Sequence, residues 1–141
     1  MEEAINEVNR IVRLFVCNHF NEALQEVDKK LDQHFFFHVL NGLFRSIQGI
    51  VTFQDETLAE GMSALHNGLN AVNFHRRKRN RLSRLIWSPN YDDYSDNECQ
   101  AEGSYSVLAA FTSCMSLLCE KSLVGLFKAG YWGKTAFDVL R

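Results

Sequence analysis

Apolar residues along this chain recur at intervals of three and four, the spacing that lines one face of an α-helix, and rarely alternate as a half-buried strand would. Over about residues 3–18, Ile5, Val8, Val12 and Phe15 follow that period, Ile11 and Leu14 flank them, and Asn6, Arg10 and Arg13 form the wet side. The pattern changes phase across Asn18-His19-Phe20-Asn21, where Asn18 or Asn21 can cap a second helix carrying Phe20, Ala23, Leu24, Val27 and Leu31. A tight helical hairpin is expected.

The third helix, over about residues 33–53, sorts most sharply by angle. His34, His38, Asn41, Arg45, Gln48 and Thr52 fall in one narrow polar stripe. Phe36, Leu40, Leu43, Ile47 and Ile50 make one apolar row, Phe37, Phe44 and Val51 another, and Gly42, Ser46 and Gly49 a row without bulk. A helix apolar or small on three sides has neighbours on three sides, and its small row lets one backbone come close. It is read as the spine of the domain.

Thr57 with Glu60 three residues on is a capping-box signature, opening a fourth helix through Leu58, Met62, Leu65, Leu69 and Val72. Gly61, Ala64, Gly68 and Ala71 give that helix its own small row, which predicts close packing on the third. Ser95 and Glu98 repeat the signature before a fifth helix through Tyr105, Val107, Leu108, Phe111, Met115 and Leu118. After a turn at Glu120-Lys121 a sixth helix runs over about residues 122–141, and a charged surface loop is predicted at about 79–94. The expectation is an all-α fold of about six helices in three stacked antiparallel hairpins, forming one domain over residues 1–141. Periodicity by itself also fits a bundle.

Composition narrows the functional classes. The 141 residues are 46% hydrophobic and 23% charged, the make-up of a packed domain rather than a disordered one. A net charge of −2 argues against wrapping nucleic acid. Cys17, Cys99, Cys114 and Cys119 show no disulfide or zinc spacing and are read as small apolar core thiols in a reducing compartment. The acidic start Met1-Glu2-Glu3 fits neither a secretion signal nor a mitochondrial presequence, so a cytoplasmic, nuclear or organelle-peripheral soluble protein is expected.

The segment NYDDYSDNECQAE at 90–102, followed after a helix by SLVGLFKAGYWGKTAF at 122–137, resembles the tetratricopeptide repeat protein 39 family. Phe20-Asn21-Glu22-Ala23-Leu24 is similar to that family's helix-opening pattern, and the stretch from Phe53-Gln54-Asp55 to Leu69 to its second hairpin. Family members are several times longer, so the resemblance implies the N-terminal portion of a helical-repeat protein. It also implies a non-enzymatic adaptor, with animal relatives tied to lipid homeostasis and fungal ones to clearance of protein inclusions.

Residue chemistry agrees with an interaction module. Arg76, Arg77, Lys78, Arg79, Arg81 and Arg84 gather six of the fifteen basic residues, enough for a nuclear-import signal, contact with an anionic lipid surface or phosphate binding. The helix macrodipole also favours cations there, and Asp92, Asp93, Asp96, Glu98 and Glu102 can neutralise them locally. His34 and His38 lie one turn apart without the glutamate of a zinc protease, and Gly133-Lys134-Thr135 has Lys128 where a phosphate loop needs glycine. Neither a metal, a cofactor nor an enzymatic activity is expected. The stripe His38, Asn41, Arg45 and Gln48 is the candidate site for a protein partner, with an ordinary solvent face as the alternative. On the last helix Leu126, Phe127, Tyr131 and Phe137 invite pairing with a second copy.

Overall fold

The computed structural model describes residues 2–76 and 94–140. Within them the chain forms six helices and no strand: α1 Glu2–Val16, α2 Phe20–Asp28, α3 Phe35–Thr52, α4 Asp55–Asn73, α5 Asp96–Cys119 and α6 Leu123–Leu140. Consecutive helices pair as α1 with α2, α3 with α4 and α5 with α6, and each pair leans on the next through α2–α3 and α4–α5 contacts. The three stacked hairpins are therefore present. Most of the loop predicted at 79–94 lies outside the described residues.

α1 ends because Asn18 turns left-handed at φ 71°, a conformation asparagine tolerates. The amide of His19 then donates to the Leu14 carbonyl at 2.9 Å and that of Asn18 to Phe15 at 3.1 Å, satisfying the open helix end. Asn18 thus closes α1 instead of opening α2, whose N-cap is His19 with no side-chain cap. The box at Ser95 forms as expected: its hydroxyl accepts from the Glu98 amide, and Glu98 accepts from the Ser95 amide at 2.9 Å. The one at Thr57 does not. α4 starts earlier, at Asp55 after an extended Gln54, and the Thr57 hydroxyl donates back to the Gln54 carbonyl at 3.0 Å.

α3 contributes to both cores, as a spine should. Phe35 and Val39 join Leu58, Leu65, Leu69, Val72, Leu108 and Met115 in the larger one. Phe37, Leu40 and Phe44 join Ile11, Ala23 and Val27 in the smaller. Its small row meets that of α4: a Cβ at Gly61 would lie 2.9 Å from the Arg45 carbonyl oxygen, and one at Gly49 2.8 Å from that of Thr57. Only glycine permits this approach, and Leu108 and Met115 of α5 close over the seam. The apolar rows of α3 are not buried to their ends, since Ile50 and Val51 emerge into solvent.

α6 packs on α5 through backbone acceptors. Ser106 donates to the Ala136 carbonyl at 3.0 Å and Ser113 to that of Ala129 at 2.8 Å. The helix runs unbroken through Trp132-Gly133, and Trp132 packs against the larger core.

Candidate interaction surface

The stripe on α3 is half-buried along its working length: His38, Asn41, Arg45 and Gln48 are neither sealed nor fully open. Apolar packing on both flanks of α3 aims it into the space between α2 and α4. Arg45 is the centre of that space. Its Nε donates to Asn41 Oδ1 at 2.8 Å, its Nη2 pairs with Asp28 of α2 at 2.9 Å, and its Nη1 lies 3.7 Å from Glu60 of α4. One guanidinium therefore spans three helices, an arrangement its planar fork of donors suits better than an ammonium would.

That geometry divides the four predicted residues. Asn41 and Arg45 orient each other and are engaged within the fold. Among the described residues His38 and Gln48 make no side-chain hydrogen bond or ion pair, which leaves their polar atoms available. Asp28 and Glu60 belong to the surface too, and no sequence signal joins them to Arg45 because the separations of 17 and 15 residues are set by tertiary packing.

The basic run splits similarly. Arg77, Lys78 and Arg79 lie outside the described residues. Arg76 is described, and its place differs from a free anionic-surface contact. Its side chain is 10% exposed, pairs with Glu102 at 2.7 Å and lies 3.7 Å above the Tyr105 ring. It bonds the end of α4 to α5, with one of the acids expected to neutralise the run as its partner.

His34 and His38 do not converge. His34 is the N-cap of α3, where Nδ1 accepts from the Phe36 amide at 3.3 Å, and its ring stacks toward His75 at 6.5 Å. Burial, then the neighbouring His75, holds the His34 pKa below the ordinary imidazole value. All four cysteines are exposed, which corrects the expectation of core thiols. Their positions fall on or near the helix edges that the hairpin stack turns to solvent, a choice periodicity alone cannot make. Cys119 borders an open groove of about 540 Å³ with Asp55, Leu58, Met62 and His66. Burial and then the Glu120 charge push its thiol pKa up, so it stays protonated at neutral pH and is a weak nucleophile.

No described helix is long and apolar enough to cross a membrane. A family model described as Iml2/Tetratricopeptide repeat protein 39 matches residues 10–141. No solved structure matches the chain.

Proposed function

The chain belongs to the Iml2/tetratricopeptide repeat protein 39 family, and from that premise we propose that it is a non-catalytic adaptor whose protein partner docks along the α3 stripe. Repeats of this type are generally scaffolds for protein interaction rather than catalysts. The observation that carries the reading is a row of half-exposed polar side chains, His38, Asn41, Arg45 and Gln48, on a helix otherwise committed to two cores. Arg45 and Asn41 are held in place by Asp28, so a partner meets a preorganised polar edge with His38 and Gln48 at its ends. We place this adaptor in the cytoplasm, in lipid homeostasis or the clearance of protein inclusions, on the family resemblance.

Charge reversal at Arg45 is a poor test, because it also breaks the ties to Asp28 and Glu60. The double variant His38→Ala, Gln48→Ala removes the free polar groups and adds no charge beside Arg45, leaving those ties intact. Proximity labelling in cells should lose the proteins tagged by the intact chain while the circular dichroism melt stays put. An unchanged set of tagged proteins sinks the stripe as the docking site.

A second reading rests on charge. Arg77, Lys78, Arg79, Arg81 and Arg84 follow one another closely in the sequence, and such a run attracts anionic lipid headgroups by about 1 kcal/mol per cation near the surface. A peripheral tether of this kind floats with phosphatidylserine vesicles and detaches as salt rises.

A further inference from the structure

Helices one hairpin apart do not meet: no Cα of α2 lies within 8 Å of one in α4, nor any of α4 within 8 Å of one in α6. Each such pair flanks a trough floored by the helix between them. The first trough is bridged by a side chain, since Arg45 ties Asp28 of α2 to Glu60 of α4. In the second, the groove of about 540 Å³ beside Cys119 stays open along α4. Asp55, Leu58, Ala59, Met62 and His66 fall on successive turns of one face, so the groove follows α4 for about 16 Å. At its His66 end Trp132 of α6 meets the imidazole edge-on, with ring centroids 6.0 Å apart. A hairpin added after α6 would pack on the third hairpin alone, because stacked repeats touch only their neighbours. The walls of this groove therefore do not depend on where the sequence stops.

The floor is apolar. Leu58 is buried, and Met62 packs half-buried against the larger core. The polar groups stand at the two ends and are unspent: among the described residues the side chains of Asp55 and His66 make no hydrogen bond or ion pair. Glu120 joins Asp55 at one end, where both charges act on the Cys119 thiol. Lys128 answers Glu120, and Lys121 lies over the Phe53 ring at 5.6 Å. Asp55 is left with only the α4 dipole to answer it.

We propose that this groove binds an apolar peptide segment carrying one lysine or arginine, its aliphatic side chains on Leu58 and Met62 and its cation on Asp55. The volume is that of an ordinary ligand cleft, apolar with a few placed polar groups. A segment with a carboxylate in that place would set like charges against each other, and a wholly apolar one would cover Asp55 without giving it a partner. The proposal does not depend on the α3 stripe.

Cys119 supplies the test, because its Sγ lies 3.8 Å from the Leu58 carbonyl oxygen at the side of the groove. With Cys17, Cys99 and Cys114 replaced by serine, the intact chain is equilibrated by disulfide exchange with one of three end-capped peptides, Lys-Cys-Leu-Leu, Glu-Cys-Leu-Leu or Lys-Cys-Ser-Ser. Intact mass then gives the fraction captured as 2-mercaptoethanol is raised. The first peptide should withstand at least about tenfold more reductant than either of the others. Asp55→Asn should abolish the preference for lysine over glutamate and keep that for leucine over serine, a comparison of ratios that cancels any change in thiol reactivity. Ala59→Arg, at an exposed groove position one turn from Asp55, should lower capture of the lysine peptide with an unchanged circular dichroism melt. Equal capture of the three peptides overturns the proposal, as does the same ranking in a chain that keeps only Cys114. So does a preference for leucine without one for lysine, or a lysine preference that survives Asp55→Asn.

Discussion

At the α3–α4 seam the backbones themselves touch, whereas α1 and α2 are held apart by side chains and joined by them. Gly49 and Gly61 sit where any Cβ would lie 2.8 Å to 2.9 Å from a carbonyl oxygen of the facing helix. In the first hairpin the contacts are an edge-to-face ring pair, Phe15 on Phe20 at 4.8 Å, and ion pairs from Glu7 to Lys30 at 2.6 Å and from Arg10 to Glu26 at 2.7 Å. Phe15 also stacks at 3.9 Å on Phe44 of α3, which docks the hairpin on the spine. The difference teaches where each region is vulnerable. A seam without side chains fails when atoms are added, and a hairpin built from large side chains fails when atoms are removed.

The largest effect is expected at the seam. Gly61→Val would drive its side chain into the backbone of Arg45 and Ser46 and against Met115, costing about 4 kcal/mol or more. Urea unfolding monitored by circular dichroism measures it, and a loss under 1 kcal/mol would show that the two helices can separate cheaply. The complementary deletion, Phe44→Ala, takes from α3 the buried ring on which Phe15 of the first hairpin stacks and should cost about 3 kcal/mol. If Gly61→Val and Phe44→Ala traded places in that ranking, the contrast between the regions would be wrong.

A smaller cost attaches to the polar joints. Arg45→Ala should lose about 1 kcal/mol, and a double-mutant cycle with Asp28→Ala should recover most of that as coupling, since the pair is only partly exposed and bonded through Nη2 to both carboxylate oxygens. Ser95→Ala should cost a similar amount by opening the capping box of α5, in contrast to Thr57→Ala, which removes no cap.

Much of this contrast was legible before any coordinates. The rows Gly42-Ser46-Gly49 and Gly61-Ala64-Gly68 are the seam, and a period of 3.6 brings them onto one side of each helix whatever the rest of the fold does. The Ser95 box was equally legible, because its partners are three residues apart and the bond is local. Thr57 with Glu60 carries the same Ser/Thr-x-x-Glu signature, yet Asp55 and Glu56 begin the helix earlier and place their charges at the positive end of its dipole, so a local motif cannot rank two competing starts. The polar stripe was visible as a stripe. Its occupation was not, because Asp28 and Glu60 reach Arg45 only after three helices have packed. Glu102 was legible as one acid able to neutralise the basic run, but not the burial of Arg76 against it and the Tyr105 ring, which needs α4 and α5 packed.

The smallest expected effects are in pH, and here the two groups share a sign, losing stability on acidification, and separate by range. Glu7 accepts hydrogen bonds from Arg10 and Lys30, and these hold its carboxyl down at about 2. A carboxylate depressed in the folded state lends stability above its unfolded pKa near 4.5 and surrenders it as pH falls toward 2. The first hairpin should therefore weaken only in strong acid. His34, at the junction leading into α3, titrates in a milder range. Its neutral Nδ1 is the acceptor that caps the helix, and burial together with His75 keeps the folded pKa below 6.5. An imidazole lowered in this way gives its full contribution above the unfolded pKa of 6.5 and loses it as pH drops below that value, because the unfolded chain takes up the proton first. Thermal melts should fall slightly between pH 7 and pH 5.5, by less than about 1 kcal/mol in stability, the range of a weak cap. His34→Asn keeps an acceptor at the N-cap but cannot titrate, so it should flatten that slope without lowering stability at neutral pH. A slope that persists in the variant would transfer the effect to another group and leave the His34 cap as geometry without linkage.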